Sequence, residues 1–303
     1  MVQMDCCLYY GDVEKGQMKP ILSIVIANYN YGRFLEEAIC SILAQGLDDK
    51  VEIIICDAAS TDNSVNIIEK YSNRIAWWCS EKDGGQSAAF NKGFSHAKGE
   101  WFTWLNADDL YFPGTLKAFI ELVDHNPQAE WITGNKMHFD STTKKIISVN
   151  WGPHRMPPFL QKNHASSGSF GPTSFWRREV YNRVGPIDEK MHYAMDTEYW
   201  ARMTMAGVRQ TRLRHFCWAF REHEESKTEG VQSVAVQEKR AAERKYWLEK
   251  TGYTYKHDFS NLWYWLLMVW RCFDGSIVKR FWLRCCYKGK SLEFAIQNCK
   301  ECQ

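Results

Sequence analysis

The feature that most constrains this chain is a short apolar segment that runs directly into acidic residues. Trp101 to Leu105 (WFTWL) combines aromatic and β-branched side chains, which is typical of a strand buried on both faces. Asn106 to Asp109 (NADD) follows at once. In an open α/β sheet, ligands bind beyond the carboxyl ends of the strands, where unpaired carboxylates are costly and suit a divalent cation. The segment therefore predicts a metal site with Asp108 as its first ligand, Asp109 beside it and Asn106 as a hydrogen-bonding neighbour.

No glycine-rich phosphate loop accompanies this segment. Between Asp83 and Leu116 there is neither a GxxxxGK[ST] nor a GxGxxG pattern. Phosphate groups bound here would need their charge neutralised by Mg²⁺ or Mn²⁺, which takes one or two protein carboxylates and completes its shell with phosphate and water. In the alternative interpretation, the two Asp residues only cap the segment that begins near Pro113.

Apolar runs upstream of this segment alternate with amphipathic ones. A helix is predicted over Arg33 to Gln45, and Ser60 and Asp62 are placed to cap a second helix. The predicted strands are Ile21 to Ile26, Val51 to Cys56, Ile75 to Cys79 and Trp101 to Leu105. Four such alternations are typical of a doubly wound α/β fold with a mainly parallel sheet flanked by helices.

The stretch from Asp83 to Asp109, with its DGGQSAAFNKGF segment, strand and LNADD end, resembles the family 2 glycosyltransferases, an inverting group with the GT-A fold. The resemblance implies a nucleotide-sugar donor whose diphosphate is held through Mg²⁺ or Mn²⁺. It departs from the family pattern at Asn106, which stands at the first position of the usual D-x-D and leaves the metal to Asp108. A second departure is at Ala58 and Ala59, where the family has two glycines.

The resemblance also implies which residues contact the donor nucleotide. Tyr29 falls where the family binds the nucleobase, and Asp57, in CDAASTD, matches the Asp of the family's DGGSTD. The full set of residues implied on the nucleotide side is Ala27, Tyr29, Asp57, Asp83, Gln86, Asn91, Lys92, Asn106, Ala107, Arg221 and Lys227. Taken singly, Asp57 is also explained as a turn residue, and Lys92 as a solvated helix charge.

The segment Arg221 to Thr228 (REHEESKT) resembles the loop with which the family surrounds the pyrophosphate. His223 is implied as a metal ligand or phosphate donor, and Arg221 and Lys227 as cations that neutralise the leaving diphosphate. A polar loop of mixed charge without such a role is an equal alternative.

A single displacement at the anomeric carbon needs one carboxylate to take the proton of the acceptor. In the family, an acidic motif follows a turn that Gly185 to Glu189 matches here, and Asp196 stands at the position of that motif. Asp196 is therefore the expected general base, in the first turn of a helix, with Glu198 as the substitute. A simple helix cap is the alternative.

Between these motifs, Glu130 to Asn150 predicts a β-hairpin, and Gly152 to Gly171 predicts a long irregular segment on the acceptor side. Gln237 to Lys250 predicts a charged helix that packs across the domain. The expected organisation is a leader (1–18), a catalytic domain (19–230) and a C-terminal helical region (231–303). The catalytic domain would divide into a nucleotide-sugar half (19–116) and an acceptor half (117–230).

The C-terminal region is both aromatic and basic. Residues 271–303 hold seven Lys or Arg against three Asp or Glu. A helical face is predicted to carry Ile277, Val278, Phe281, Trp282 and Cys285. This combination favours an interfacial helix on an anionic membrane, although packing on the catalytic domain or a dimer contact would give a similar pattern.

Composition limits the remaining classes of function. A net charge of +2 without a dominant basic block argues against a nucleic-acid binder. The eleven cysteines lack the spacing of a disulfide framework, and no signal peptide is visible, so a cytoplasmic protein at the inner face of a membrane is expected. The longest apolar run, Leu262 to Trp270, is shorter than the ~20 residues that span a bilayer.

These observations predict an inverting, metal-dependent hexosyltransferase. Its donor would be a UDP-, GDP- or dTDP-sugar, and its acceptor a hydroxyl of a glycan or a lipid-linked glycan. Two other functions remain open: a nucleotidyltransferase, and a non-catalytic protein that binds a sugar or nucleotide.

Overall fold

The computed structural model describes residues 19–163, 171–226, 234–252 and 262–300, which form a nine-stranded sheet with helices packed on it. The expected leader, the implied phosphate contact Lys227 and residues 231–233 of the C-terminal region lie outside the described residues.

The first half of the sheet is parallel and doubly wound, as predicted. Its order is β3-β2-β1-β4, with all three pairings parallel. The strands are β1 (Leu22–Asn28), β2 (Val51–Asp57), β3 (Trp77–Ser80) and β4 (Trp101–Asn106), and the helices between them are α1 (Gly32–Leu43), α2 (Ser64–Lys70) and α3 (Gln86–His96). β3 begins two residues later than predicted, because a 3-10 helix over Ser72–Arg74 precedes it.

Burial on both faces explains the continuous apolar character of these strands. In β1, Ile24 and Ile26 pack into the core beneath α1 and α2, whereas Val25 packs into the core beneath α3. Helix α3 lies so close to the sheet that a Cβ at Gly93 would stand 2.3 Å from Cγ1 of Val25. The glycine of NKGF therefore permits the close approach of helix and strand.

The second half of the sheet is mixed. β8 lies antiparallel between β4 and β6, and β9 pairs with β6 in parallel and with β5 antiparallel. The strands are β5 (Leu110–Tyr111), β6 (Trp131–Asp140), β7 (Ile146–Asn150), β8 (Ser174–Arg177) and β9 (Gln210–Glu222). The predicted hairpin is confirmed as β6 and β7.

The helices of this half are α4 (Thr115–His125), α5 (Pro158–Asn163), α6 (Arg178–Val184) and α7 (Met195–Met205). The prediction of an irregular segment over Gly152 to Gly171 was wrong in part, because α5 lies within it. Proline is favourable at the first position of a helix, and Leu160 packs with Leu267 in a small apolar cluster.

After the sheet, the described residues form four helices: α8 (Val234–Thr251), α9 (Leu262–Phe273), α10 (Ser276–Tyr287) and α11 (Leu292–Asn298). α8 packs against α7, and α10 packs against β7. In the part of the chain that the structure describes, no helix combines the length and apolar character needed to cross a membrane.

Candidate active site

A cavity of about 790 Å³ opens at the carboxyl ends of β1, β2 and β4, and extends to the first turn of α7. This position is the one at which open α/β sheets bind ligands. The sequence-predicted residues that line it are Ala27, Tyr29, Asp83, Gln86, Asn106, Ala107, Asp108 and Asp196. The cavity thus brings together residues from both expected halves of the catalytic domain.

Where the cavity meets the turn after β4, the carboxylate of Asp108 contacts the imidazole of His223. Nε2 of His223 lies 3.0 Å from Oδ2 of Asp108, although 115 residues separate them in the chain. Both side chains are largely buried, and the ring of Tyr31 packs edge-on against the imidazole at 5.5 Å. The turn after β4 supplies the carboxylate, and the residue that directly follows β9 supplies the imidazole, so the pair joins the two halves of the sheet.

Asp109 has different surroundings. It is fully buried; its Oδ1 accepts a hydrogen bond from the backbone N–H of Arg221 (2.9 Å) and its Oδ2 one from the amide of Asn106 (2.8 Å). Burial raises the pKa of the Asp109 carboxyl well above its usual range, and the charge of Asp108 adds to this effect. The amide oxygen of Asn106 accepts in turn from Nε2 of Gln86 at 2.8 Å. Asp109 and Asn106 therefore tie the acidic turn to β9 and α3.

Arg221 supports the same turn from beneath. Its side chain is fully buried, donates from Nε to the backbone oxygen of Asp108 (2.7 Å) and pairs with Glu37 at 2.6 Å. The guanidinium lies over the ring of Phe34, and Arg221 is not among the residues that line the cavity. The structure thus places this cation under the acidic turn, away from the cavity that would hold a diphosphate.

The side chains of Asp108 and His223 fit a divalent cation. One carboxylate and one imidazole are donors that Mn²⁺ accepts, and Mg²⁺ and Mn²⁺ both complete their shells with phosphate and water. Nδ1 of His223 is buried and has no hydrogen-bond partner among the described residues. Within those residues, no group of three or more His, Cys, Asp or Glu side chains is placed to hold an ion. A cation here would rely on the ligand for most of its shell.

Asp57 does not line the cavity, and its carboxylate instead holds strand ends together. Its Oδ1 accepts from Asn28 (2.6 Å) and from the hydroxyl of Ser60 (2.5 Å), and its Oδ2 accepts from the backbone N–H of Ser60 and the hydroxyl of Ser80. The buried carboxylate thereby joins the ends of β1, β2 and β3. Ala59, which replaces a family glycine, takes the left-handed conformation with φ of 56°.

Asn91 and Lys92 do not line the cavity. The amide of Asn91 exchanges hydrogen bonds with the backbone of Ile187, at 2.9 Å to the N–H and 2.8 Å to the carbonyl. Lys92 pairs with Glu81 at 2.5 Å. α3 thus uses Asn91 to hold the Gly185 to Glu189 turn that the sequence singled out.

Asp196 occupies the first turn of α7, as predicted, and lines the end of the cavity that lies against this helix. Its Oδ1 accepts from the backbone N–H of Thr197 at 2.6 Å, and the helix N-terminus favours its negative charge. Glu198, the substitute candidate, is fully buried and forms a two-point ion pair with Arg202 at 2.7 and 2.9 Å. Of the two carboxylates, only Asp196 lines the cavity.

Lys136 of β6 was not identified from the sequence. Its Nζ lies 4.6 Å from the ring centroid of Trp218 and 5.3 Å from that of Phe220, and both rings line the cavity. Burial lowers the pKa of the Lys136 ammonium to about 8, against the opposing effect of Asp196 and two further carboxylates. The only signal in the sequence was the alternation of strand residues, which places Trp218 and Phe220 on one face.

Glu243 of α8 was also missed. Its carboxylate accepts hydrogen bonds from three consecutive backbone N–H groups, those of His192 (2.9 Å), Tyr193 (2.9 Å) and Ala194 (3.2 Å). His192 and Tyr193 line the cavity, and α7 begins directly after Ala194. Glu243 therefore fixes the segment that leads into Asp196. No local sequence pattern could indicate this contact, because a glutamate on a charged helix is expected to face solvent.

The family profile and the curated relatives that match this chain point to the same protein family. The sequence profile of Glycosyl transferase family 2 matches residues 23–185. An uncharacterized glycosyltransferase of Nostoc is 35% identical over 178 residues, which cover 55% of this chain and 54% of the relative. An uncharacterized glycosyltransferase of Rickettsia typhi is 35% identical over 198 residues, covering 62% and 60%. The matched segments thus span little more than half of these curated relatives.

Solved structures show the same fold at low sequence identity. The S. aureus TarS fragment 1–349 in complex with UDP-GlcNAc has a TM-score of 0.60 at 17% identity, over 72% of this chain and 64% of the fragment. A mannosyltransferase of Pyrobaculum calidifontis in complex with GDP-Man and Mn²⁺ has a TM-score of 0.54 at 20% identity, over 81% and 68%. These likenesses confirm the predicted fold class, a GT-A type, mostly parallel sheet flanked by helices and followed by C-terminal helices.

Proposed function

The chain belongs to glycosyl transferase family 2, and we propose on that premise that it moves a hexose from a nucleotide diphosphate sugar to an acceptor hydroxyl, with inversion. The observation that carries the proposal is the shared cavity. Asp108, paired with His223, lies at its donor end, and Asp196 lines its acceptor end. An inverting displacement needs separate groups for the leaving diphosphate and for the acceptor proton.

The donor is a nucleotide diphosphate sugar, with UDP, GDP or dTDP as the nucleotide. The fold neighbours bound to UDP-GlcNAc and GDP-Man support this class of ligand. Tyr29, which is mostly exposed, Asp83 and Ala27 line the end of the cavity where the nucleoside would lie. Asp57 would contribute indirectly, because its four hydrogen bonds hold the strand ends that shape this part of the cavity.

Asp108 and His223 would hold Mg²⁺ or Mn²⁺, with Asp109 and Arg221 keeping the acidic turn in place. When bound, the cation neutralises charge on the diphosphate and so stabilises the leaving group. The amide oxygen of Asn106 accepts a hydrogen bond from Gln86 and would orient that side chain toward the same cavity.

Asp196 would accept the proton of the acceptor hydroxyl as the new glycosidic bond forms. Its place at the N-terminus of α7 sets the carboxylate at the positive end of the helix dipole, and the nearby Lys136 ammonium adds a second positive charge. The rings of Trp218 and Phe220 offer an apolar wall against which a sugar ring can pack. The acceptor would be a hydroxyl of a glycan or of a lipid-linked glycan at the cytoplasmic face of a membrane.

The experiment that tests this proposal is Asp196→Asn. Asn keeps the size of the side chain but accepts no proton at the pH of the assay. Donor binding, followed as the thermal shift with UDP-, GDP- and dTDP-sugars and Mn²⁺, should be retained. Release of the nucleoside diphosphate should fall by ~10²-fold or more.

Asp48→Asn is the control, since Asp48 forms a surface ion pair with Arg74. Wild-type turnover in the Asp196 variant at saturating donor would assign the base elsewhere. A wild-type protein that binds donor without turning it over would favour the non-catalytic alternative, and one stabilised by no nucleotide sugar would contradict the proposed donor.

A further inference from the structure

Helices α9 and α10 each have a second apolar face that is largely exposed in the part of the chain that the structure describes. The exposed side chains of this apolar face are Leu262, Trp265, Leu266, Val269 and Phe273 on α9, and Val278, Phe281 and Trp282 on α10. Their spacing by three, four or seven residues places them in one stripe along each helix. Phe273 is 85% exposed and Phe281 69% exposed. Contiguous apolar surface of this kind marks an interaction site in most soluble proteins.

The opposite faces of the same helices account for their attachment to the fold. Leu283 and Tyr287 of α10 pack into a cluster with Ile146 and Val149 of β7. Leu267 of α9 packs with Leu160 of α5. Because these buried residues already anchor both helices, the apolar face is not needed to hold them in place.

Basic residues border the apolar face. Arg280, Arg284 and Lys288 follow one another at intervals of four along α10. Residues 262–300 hold seven Lys or Arg and two Asp or Glu. Arg284 and Lys288, together with Phe281, also line a shallow cavity beside Ile146 of β7. Among the described residues, neither cation has a carboxylate partner within ion-pair distance.

We propose that the apolar face of α9 and α10 docks on the surface of an anionic lipid bilayer, with Arg284 and Lys288 contacting lipid phosphates. Aromatic and aliphatic side chains on one side of a helix, bordered by Lys and Arg, are typical of helices that lie in the membrane interface. The charge distinguishes this partner from a second copy of the chain. A two-fold contact through this face would bring two basic stripes together, whereas anionic headgroups supply the opposite charge.

The position of the surface gives the docking a consequence for the acceptor end of the cavity. α5 contacts α9 on one side and α7 on the other, and α7 carries Asp196 in its first turn. A docked bilayer would therefore lie on the side of the molecule from which α7 is supported. The inference rests on a surface apart from the cavity and does not depend on the proposed transfer reaction.

Co-sedimentation of the full chain with vesicles tests the proposal. Vesicles of phosphatidylglycerol and phosphatidylcholine should bind the protein at least ~10-fold more strongly than phosphatidylcholine alone, since each basic residue near an anionic surface contributes roughly fivefold. Phe281→Gln with Trp282→Gln should weaken binding by ~10-fold or more. Arg284→Gln with Lys288→Gln should weaken it to a similar extent and reduce its dependence on salt.

The matched control is Lys239→Gln with Lys245→Gln, which removes the same charge from exposed positions on α8 and should leave binding within about threefold. All substituted side chains are exposed, so thermal melting and donor binding should match the wild type. The proposal would be overturned if the wild type showed no preference for anionic vesicles, or if the aromatic and the basic double variants both bound vesicles as the wild type does. It would also be overturned if the protein formed a dimer in solution that Phe281→Gln with Trp282→Gln dissociates, while vesicle binding is absent.

Discussion

At the scale of single residues, Asp108 and Asp109 are neighbours in the chain whose surroundings are different. Asp108 lines the cavity and meets His223, whereas Asp109 is buried and accepts hydrogen bonds from Asn106 and the backbone of Arg221. The strand end turns the first carboxylate outward and the second inward. One acidic pair thus divides into a group available to a ligand and a group that holds the turn.

This division predicts opposite phenotypes for the two alanine variants. Asp108→Ala should weaken Mn²⁺-dependent donor binding by more than about 100-fold, because it removes the proposed metal ligand itself. Loss of a residue that only supports a metal ligand already lowers metal affinity by about 10–100-fold. Its thermal stability without ligand should stay near that of the wild type. Calorimetry with UDP- and GDP-sugars, with and without Mn²⁺, measures the effect; unchanged metal-dependent affinity would remove Asp108 from the site.

Asp109→Ala is the comparison for that experiment. It leaves the amide of Asn106 and the N–H of Arg221 buried without their acceptor, so we expect unfolding free energy to fall by about 1–3 kcal/mol. If instead only metal affinity changed, Asp109 would be a direct ligand, as first predicted from the sequence.

Lys136 carries a prediction of its own. Lys136→Met removes a positive charge that interacts with the Asp196 carboxylate, which acts to raise the pKa of the Lys136 ammonium. The kcat–pH profile of Lys136→Met should therefore differ from that of the wild type, with a lower kcat at neutral pH. Lys136→Arg keeps the charge and should retain the wild-type profile. A profile that is the same in Lys136→Met and in the wild type would show that the cation does not act on the base.

At the scale of elements, the start of α7 is fixed by α8 rather than by its own sequence. Ala194, the residue directly before α7, offers no side-chain cap, and Glu243 accepts hydrogen bonds from the N–H groups of residues 192–194. Arg202 adds a second support, because its guanidinium donates to the backbone oxygens of Val184 and Pro186. The position of Asp196 therefore depends on contacts between helices that are distant in the chain.

We expect Glu243→Ala to lower kcat by about tenfold or more, because a small displacement of a catalytic group is costly. KM for the donor should stay unchanged, since the donor end of the cavity is built from other elements. Glu243→Gln retains one acceptor oxygen and should recover part of kcat. Glu249→Ala, an exposed position on the same helix, is the control; an equal loss there would indicate a general effect on α8.

At the scale of the whole molecule, the last helices share the core of the sheet. Leu283 and Tyr287 of α10 and Leu292 of α11 pack with Met137, Phe139 and Ile146 of the β6–β7 hairpin. This arrangement joins the expected C-terminal region to the expected catalytic domain through one apolar cluster. The boundary near residue 231 stays a prediction about organisation in the sequence.

The shared cluster predicts that the tail unfolds together with the sheet. Leu283→Ala should reduce the free energy of unfolding by about 2–5 kcal/mol in a single transition, because it empties a fully buried site. Val278→Ala, at a position that is 67% exposed on the same helix, should change it by less than ~0.5 kcal/mol. Two separate transitions in urea, with only one shifted by Leu283→Ala, would indicate an independent tail.

The sequence by itself was sufficient for the parallel half of the sheet. β1, β2 and β4 are buried on both faces, so each reads as a mainly apolar run, and acidic residues stand at or just beyond the ends of β2 and β4. The same local logic placed Asp108 beyond β4, whereas Asp196 was assigned to the first turn of a helix through the family resemblance. Hydrophobic periodicity and the residue types at strand ends are patterns of a few neighbouring residues, so they can be recognised from the sequence without a structure.

Only the tertiary structure decided what the neighbours of these residues do. The carboxylate of Asp57 accepts hydrogen bonds from Asn28, Ser60 and Ser80. Asn91 holds the Gly185 to Glu189 turn, which is nearly a hundred residues away in the chain. Lys136 and Glu243 contact residues that line the cavity, from a strand and a helix that no motif marks. Apart from the bond between Asp57 and Ser60, these hydrogen bonds join residues that are 23 to 96 positions apart, and such contacts leave no trace in local pattern because either partner is chemically ordinary alone.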